Sequence, residues 1–136
     1  MSLESNKKAV VDFYKALEQG DYDTVATLCH KDFVFYSQID TARSGVDAFV
    51  AAEKKHLIAY NNIRMQVHCI AEDDRVAAYV VFEGDQVGDF YGVPPRGAHL
   101  RMSMGNFFRM LDGKIVEKRA HYDRMDHIEQ LRAGSK

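Results

Sequence analysis

The stretch LRMSMGNFFRMLDGKIVEKRAHYD, Leu100 to Asp123, decides the fold class. Leu100, Met102, Met104, Asn106, Phe108 and Met110 fall on alternate positions, with Arg101, Ser103 and Arg109 between them. That period of two is the pattern of a strand with one face toward a core. Asp112-Gly113 follows, a favoured dipeptide for a two-residue hairpin turn, and Lys114 to Asp123 reads as the returning strand. Working backwards, Ile63, Met65, Val67 and Cys69 alternate with Arg64, Gln66 and His68. Glu72-Asp73-Asp74 turns the chain into Val76 to Phe82, apolar on both faces and expected at the centre of a sheet. Gly88 to Gly97 holds both prolines and reads as a loop. The second half is therefore an antiparallel meander.

The first half has a different period. Val10, Val11, Phe13, Tyr14 and Leu17 recur at helical spacing from about residue 4, and Gly20 suits a left-handed cap. Asp21 is placed to cap a short second helix carrying Val25, Ala26 and Leu28. Phe33 to Tyr36 reads as an aromatic, β-branched strand. Ser44-Gly45-Val46-Asp47 resembles a capping box opening a third helix with Phe49, Val50, Leu57 and Ile58 on its apolar side. Helices first and strands after them give an α+β domain. The expected architecture is a curled, cone-shaped sheet, antiparallel or mixed, wrapped around three N-terminal helices, with room for an interior pocket.

The chain has 136 residues, which suits a single domain spanning 1–136. At 46% hydrophobic and 28% charged it has the composition of a packed globular domain rather than a disordered one. A net charge of −2 gives no general attraction to nucleic acid or to an anionic membrane. No apolar run approaches bilayer length, and MSLESNKK has no apolar signal core, so a cytoplasmic location is expected. Cys29 and Cys69 form no CxxC pair and read as reduced thiols. Gly84-Asp85-Gln86-Val87-Gly88 lacks the lysine of a phosphate-binding loop. His121, Asp123 and His127 do not converge by any strand or helix period, so no metal is expected. Arg96, Arg101, Arg109, Lys114, Lys118, Arg119 and Arg124 alternate with acidic and apolar residues, as on a solvated or subunit-facing sheet surface.

Several segments together resemble the nuclear transport factor 2-like superfamily, and within it the SnoaL-like polyketide cyclases. They are Gly20-Asp21, Arg43-Ser44-Gly45, Gly84 to Phe90, Gly92-Val93-Pro94-Pro95-Arg96-Gly97, Phe108-Arg109-Met110, Asp112 to Glu117, Asp123 and Gln130-Leu131. The Gly-Val-Pro-Pro segment is the more specific; the Asp-Gly-Lys-Ile hairpin is common to the wider superfamily. The resemblance implies a cone-shaped pocket and proton transfer on a small hydrophobic carbonyl compound without a cofactor. It also implies an acid/base role for Asp123. Three departures argue against ketosteroid isomerase activity: Tyr36 stands where that enzyme has its general-base Asp, Phe13 where it has a helix-one Tyr, and Asn106 where it has an oxyanion-stabilising Asp. The His of the cyclase G-T-H-x-G stretch is also missing.

Burial and strand geometry bear on the same residues. A carboxylate such as Asp123, if it enters an apolar cone, is desolvated and titrates nearer neutrality, where it both takes and returns a proton. The competing reading is an exposed Asp capping a C-terminal turn near Arg124. Asn106 is the one polar member of the inward row and must find a partner there. His121 shares the strand face of Asp123 and is the available imidazole. Phe13, Tyr14, Tyr36, Met102, Met104, Phe108 and Tyr122 are the expected pocket lining. A two-residue turn at Asp112-Gly113 sets Asp123 across from Met102, a three-residue loop sets it across from Arg101, and a slip of one residue reverses every face. The leading expectation is thus aldol cyclisation or isomerisation of a hydrophobic or polyketide-like carbonyl substrate. The alternative is a non-catalytic module that binds an apolar ligand, and in either case the long sheet predicts a homodimer. An epoxide hydrolase relative fits less well, since no full Arg-Asp-Asp arrangement is present.

Overall fold

Period-two patterning in the second half and helical patterning in the first are both realised in the computed structural model, which describes residues 2–135. Six strands, β1 (Cys29–Gln38), β2 (Thr41–Ser44), β3 (Tyr60–Glu72), β4 (Arg75–Gln86), β5 (His99–Leu111) and β6 (Lys114–His121), form one sheet. Their order is β2-β1-β6-β5-β4-β3. The β1–β6 pair is parallel and the other four pairs are antiparallel, so the sheet is mixed. Helices α1 (Leu3–Gln19), α2 (Tyr22–Leu28) and α3 (Val46–Leu57) precede the meander, and α4 (Arg124–Ala133) follows it.

The core forms where the inward stripes of α1 and α3 meet the inner face of the sheet. Phe13 of α1 lies 5.5 Å from Phe49 of α3 and 5.9 Å from Phe108 of β5, ring centroid to centroid. Phe49 in turn packs edge-on against Phe33 and Phe35 of β1. Burying a cluster of this kind contributes roughly 2–3 kcal/mol per ring, which holds both helices to the sheet. Local signals set the helix ends. Gly20 closes α1 at φ 69°, and the Asp21 carboxylate accepts from Thr24 N at 3.2 Å to open α2.

Four features depart from the sequence expectation. The third helix has no capping box: Gly45 is its N-cap and no side chain caps it. Ser44 is instead held in β2, paired with Val34, and β2 itself was not foreseen. The residues after Asp123 form a fourth helix of 10 residues rather than a turn.

The fourth departure concerns register. Of the two loop lengths left open by the sequence, Asp112 and Gly113 make the two-residue turn, both at positive φ, and Leu111 pairs with Lys114 and Met110 with Ile115. The next pair, however, is Arg109 with Glu117, so Val116 is an extra residue, a β-bulge. Beyond it every β6 residue has changed face. Lys118 lies beside Phe108 and Ala120 beside Asn106 on the inner face, while His121 lies beside Gly105 on the outer one. Lys118, expected on a solvated surface, is only 7% exposed.

Candidate functional site

Polar side chains from two strands and two helices lie at the inner face of the sheet. Lys118 reaches it from β6 because of the Val116 bulge. Its Nζ lies 5.5 Å from the ring centroid of Phe49 and 5.9 Å from that of Phe108. Glu53, half-buried, comes from α3, one helical turn after Phe49 and one before Leu57, both buried. Tyr14 comes from α1, with its ring edge-on to Phe108. Asn106 comes from β5, diagonal to Lys118 across the β5–β6 pair.

These groups are desolvated and influence one another. Burial pushes the Glu53 carboxyl up, opposed by the Lys118 charge. Burial pushes the Lys118 amine down, opposed by Glu53 and Cys29. Tyr14 is held well above its usual value by burial and by Glu53, so its hydroxyl stays protonated. Yet among the described residues Glu53 and Lys118 form no direct ion pair, and the Tyr14 hydroxyl and Asn106 Oδ1 have no hydrogen-bond partner. Buried polar atoms are seldom left unpaired. Asn106 spends its Nδ2 hydrogens on the carbonyls of Ala78 and Met104, each at 3.3 Å. Its free atom is therefore an acceptor, not the donor an oxyanion needs.

A second group gathers between the end of α3, the 87–98 loop and α4. The Tyr60 hydroxyl and His127 Nε2 are 2.7 Å apart. His127 stacks on Phe90 at 4.3 Å, with Tyr122 6.1 Å away. Burial, with the nearby His56 and Arg124 charges, pushes His127 down to about 4. Burial, with Tyr122 close by, pushes the Tyr60 hydroxyl well above its usual value. The Tyr60 hydroxyl and a neutral imidazole thus share this hydrogen bond, and among the described residues His127 Nδ1 has no partner.

Of the expected site residues, Asn106, Phe13, Tyr14 and Phe108 are buried within the core, with Met102 and Met104 half-buried on the same inner row. Tyr36 is elsewhere, on the outer face, with the Arg119 guanidinium 3.7 Å from its ring centroid. Asp123 and His121 are exposed. Asp123 is the N-cap of α4, its Oδ1 accepting from Asp126 N at 3.0 Å. With Met102, Ser103, Gly105, Tyr122 and Asp126 they border an open cleft of about 630 Å³. A neighbouring cleft of about 700 Å³ lies between β5 and α4. The structure therefore brings Asp123, His121, Tyr122 and Met102 together, but separates Asp123 and His121 from the buried Asn106.

Sequence reasoning missed Glu53, Lys118, Tyr60 and His127. Glu53 left one usable signal, since Phe49, Glu53 and Leu57 share a face of α3. Lys118 left none, because its placement depends on the bulge.

The SnoaL-like polyketide cyclase model matches residues 8–131. The chain belongs to this family. No functionally curated protein matches it at a significant level. Among solved structures it is similar to AclR of Streptomyces galilaeus, a candidate hydroxylase, at 25% identity and TM-score 0.87, covering 98% of this chain and 100% of that one. IdmH of Streptomyces antibioticus, a candidate polyketide cyclase, aligns at 25% identity and TM-score 0.82 over 93% and 97% of the two chains. An LEH-like epoxide hydrolase of M. tuberculosis shares the fold, at 18% identity and TM-score 0.75 over 97% and 92%. For this SnoaL-family chain the expected cone of sheet and helices is therefore shown, and the neighbours support a small enzyme of that fold.

Proposed function

We propose that this SnoaL-family protein is a cofactor-independent enzyme that moves a proton on a hydrophobic carbonyl compound held between α3 and the inner face of the sheet. The observation that carries the reading is the set of polar groups there: Glu53, whose charge acts on Tyr14, with the Tyr14 hydroxyl and Asn106 Oδ1 unpartnered among the described residues. Glu53 is the acid/base: a carboxyl raised toward neutrality takes an α-proton and returns it. Tyr14, kept protonated, is the donor for the carbonyl oxygen as it gains charge. Asn106 Oδ1 accepts from a substrate hydroxyl. The enolate so formed is either reprotonated elsewhere, an isomerisation, or attacks a second carbonyl, an aldol cyclisation. Asp123, favoured by family resemblance for the same role, is exposed and spends its carboxylate capping α4, away from these groups.

The outer face supports the expected homodimer. Ile70, Ala77 and Phe107 form one row across β3, β4 and β5, with Tyr79 beside it, and Ile70, Tyr79 and Phe107 are 66%, 56% and 55% exposed. A second copy of the chain would cover this patch.

The test is deuterium uptake from D2O at the α-carbon of aromatic and polycyclic ketones, followed by mass spectrometry. Catalysed uptake that falls about 100-fold or more in Glu53→Gln is expected. Binding without uptake in the wild type would make the protein a carrier and overturn the reading.

A further inference from the structure

The bulge at Val116 has a chemical consequence beyond proton transfer. It turns a lysine into the core of the cone, where the unbulged strand would have presented it to solvent beside Phe107. Lys118 keeps 7% of its surface, lies against the rings of Phe49 and Phe108, and among the described residues makes no hydrogen bond or ion pair. Buried ammonium groups are normally paired, because several kcal/mol of hydration are otherwise lost. A structural lysine would be expected to meet Glu53 directly. Instead the two face each other across α3 and β6 without contact, with the Tyr14 hydroxyl and Asn106 Oδ1 also unpartnered nearby.

We propose that Lys118 is a covalent catalytic residue, whose Nζ condenses with the substrate carbonyl carbon to form an iminium ion, Glu53 carrying the protons. This deepens the carbonyl reading above and rests on it. In the first step the neutral amine forms a C–N bond while the carbonyl π pair moves to oxygen, which takes the Glu53 proton. The nitrogen then returns a proton to the Glu53 carboxylate, leaving a carbinolamine. Glu53 protonates the hydroxyl, the C–O bond breaks, and water leaves with its electron pair, so nothing is oxidised or reduced. The iminium draws electrons from the neighbouring carbon, and the Glu53 carboxylate removes its proton to give an enamine. Hydrolysis runs the condensation backwards and frees the amine.

Three local features suit this step. Burial lowers the proton affinity of the amine, which raises the share of neutral nucleophile. The flanking rings keep bulk water from the condensation. Cys29, coupled to the amine, has its thiol pushed up to about 12 by burial and so is a neutral thiol at neutral pH.

The probe is 1-phenylbutane-1,3-dione, because an amine adds to such a diketone with loss of water to give an enaminone that needs no reductant to be seen. The wild-type protein is incubated with it at neutral pH, and the adduct is located by intact mass, near-ultraviolet absorbance and peptide mapping. One equivalent on Lys118, in preference to the eight other lysines of the chain, is the expected result. Loss of that adduct in folded Lys118→Met and Lys118→Arg, and slower formation in Glu53→Gln, would agree with it. Label scattered over surface lysines such as Lys54 and Lys114 with Lys118 unmodified, or no label, would overturn it. Peptide mapping reads Lys118 in the wild type, so the outcome does not depend on either variant folding. Glu53-dependent deuterium uptake without a Lys118 adduct would remove the iminium and leave the proton-transfer reading standing. An adduct on Lys118 without such uptake would do the reverse.

Discussion

Tyr14 places a hydroxyl in the core with no hydrogen-bond partner among the described residues, and such a group costs stability, about 1–3 kcal/mol of desolvation, unless a ligand meets it. Tyr14→Phe is therefore expected to leave the thermal midpoint unchanged or raise it, while ketone α-proton exchange falls. Calorimetry and the deuterium assay on one preparation check both halves, and a lower midpoint would indicate a structural hydroxyl. His127 gives a pH prediction. Its folded pKa, about 4, lies below the ordinary value of 6.5, so the unfolded chain takes up a proton first as pH falls. Its contribution is complete above about pH 6.5, declines between there and pH 4, and is then lost, a change of up to about 3 kcal/mol. The groups facing it are Tyr60, His56, Arg124, Asp126 and Tyr122. Urea midpoints measured across this range should slope in the wild type and flatten in His127→Phe, which keeps the stack on Phe90. At this scale the sequence was partly legible. Asn106 stood out because it interrupts an apolar row. Glu53 interrupts one too, but a single carboxylate in a helix bearing Lys54 and Lys55 reads as solvated.

The decisive element is β6. Its hairpin turn and the identity of its strands were readable from Asp112-Gly113 and the alternation of β5, whereas its facing was not. A bulge is one residue's excess between two strands, and nothing in Ile115-Val116-Glu117 distinguishes it from a regular run. Deleting Val116 should remove the extra residue and leave Ile115 opposite Met110, Glu117 opposite Arg109 and Lys118 opposite Phe108, a regular strand that still carries Lys118 inward. Circular dichroism should then show a cooperative transition, lowered by the lost burial of Val116, about 1–3 kcal/mol. A deletion variant with no cooperative transition would contradict the role given to Val116 as the one extra residue. Helix α4 offers a milder test. Gln130 lies against the edge of β5, its Oε1 accepting from Arg101 N at 3.0 Å and its Nε2 donating to Arg101 O at 2.8 Å, as a neighbouring strand would. Gln130→Ala should cost about 1–3 kcal/mol and speed hydrogen exchange at the Arg101 amide.

At the scale of the molecule, the cone was legible because two periods, one helical and one of two, divide the chain cleanly and the family segments fall at their junctions. The same segments pointed to Asp123, since a motif fixes a residue's place along the chain but not the direction of its side chain. In the folded chain Asp123 caps α4 at the rim, while Glu53, Lys118 and Tyr14 occupy the interior. The outer face carries its own prediction. Sedimentation should find a dimer that Phe107→Lys dissociates, and a wild-type monomer at micromolar concentration would remove the assembly proposal. Everything proposed for the interior turns on which carboxylate does the chemistry, and ketone α-proton exchange by Glu53→Gln and Asp123→Asn, measured side by side, tests that most directly. Asn caps a helix about as well as Asp, so the second variant should fold. Exchange should be lost in Glu53→Gln and kept in Asp123→Asn; exchange kept in the first and lost in the second would contradict the interior site.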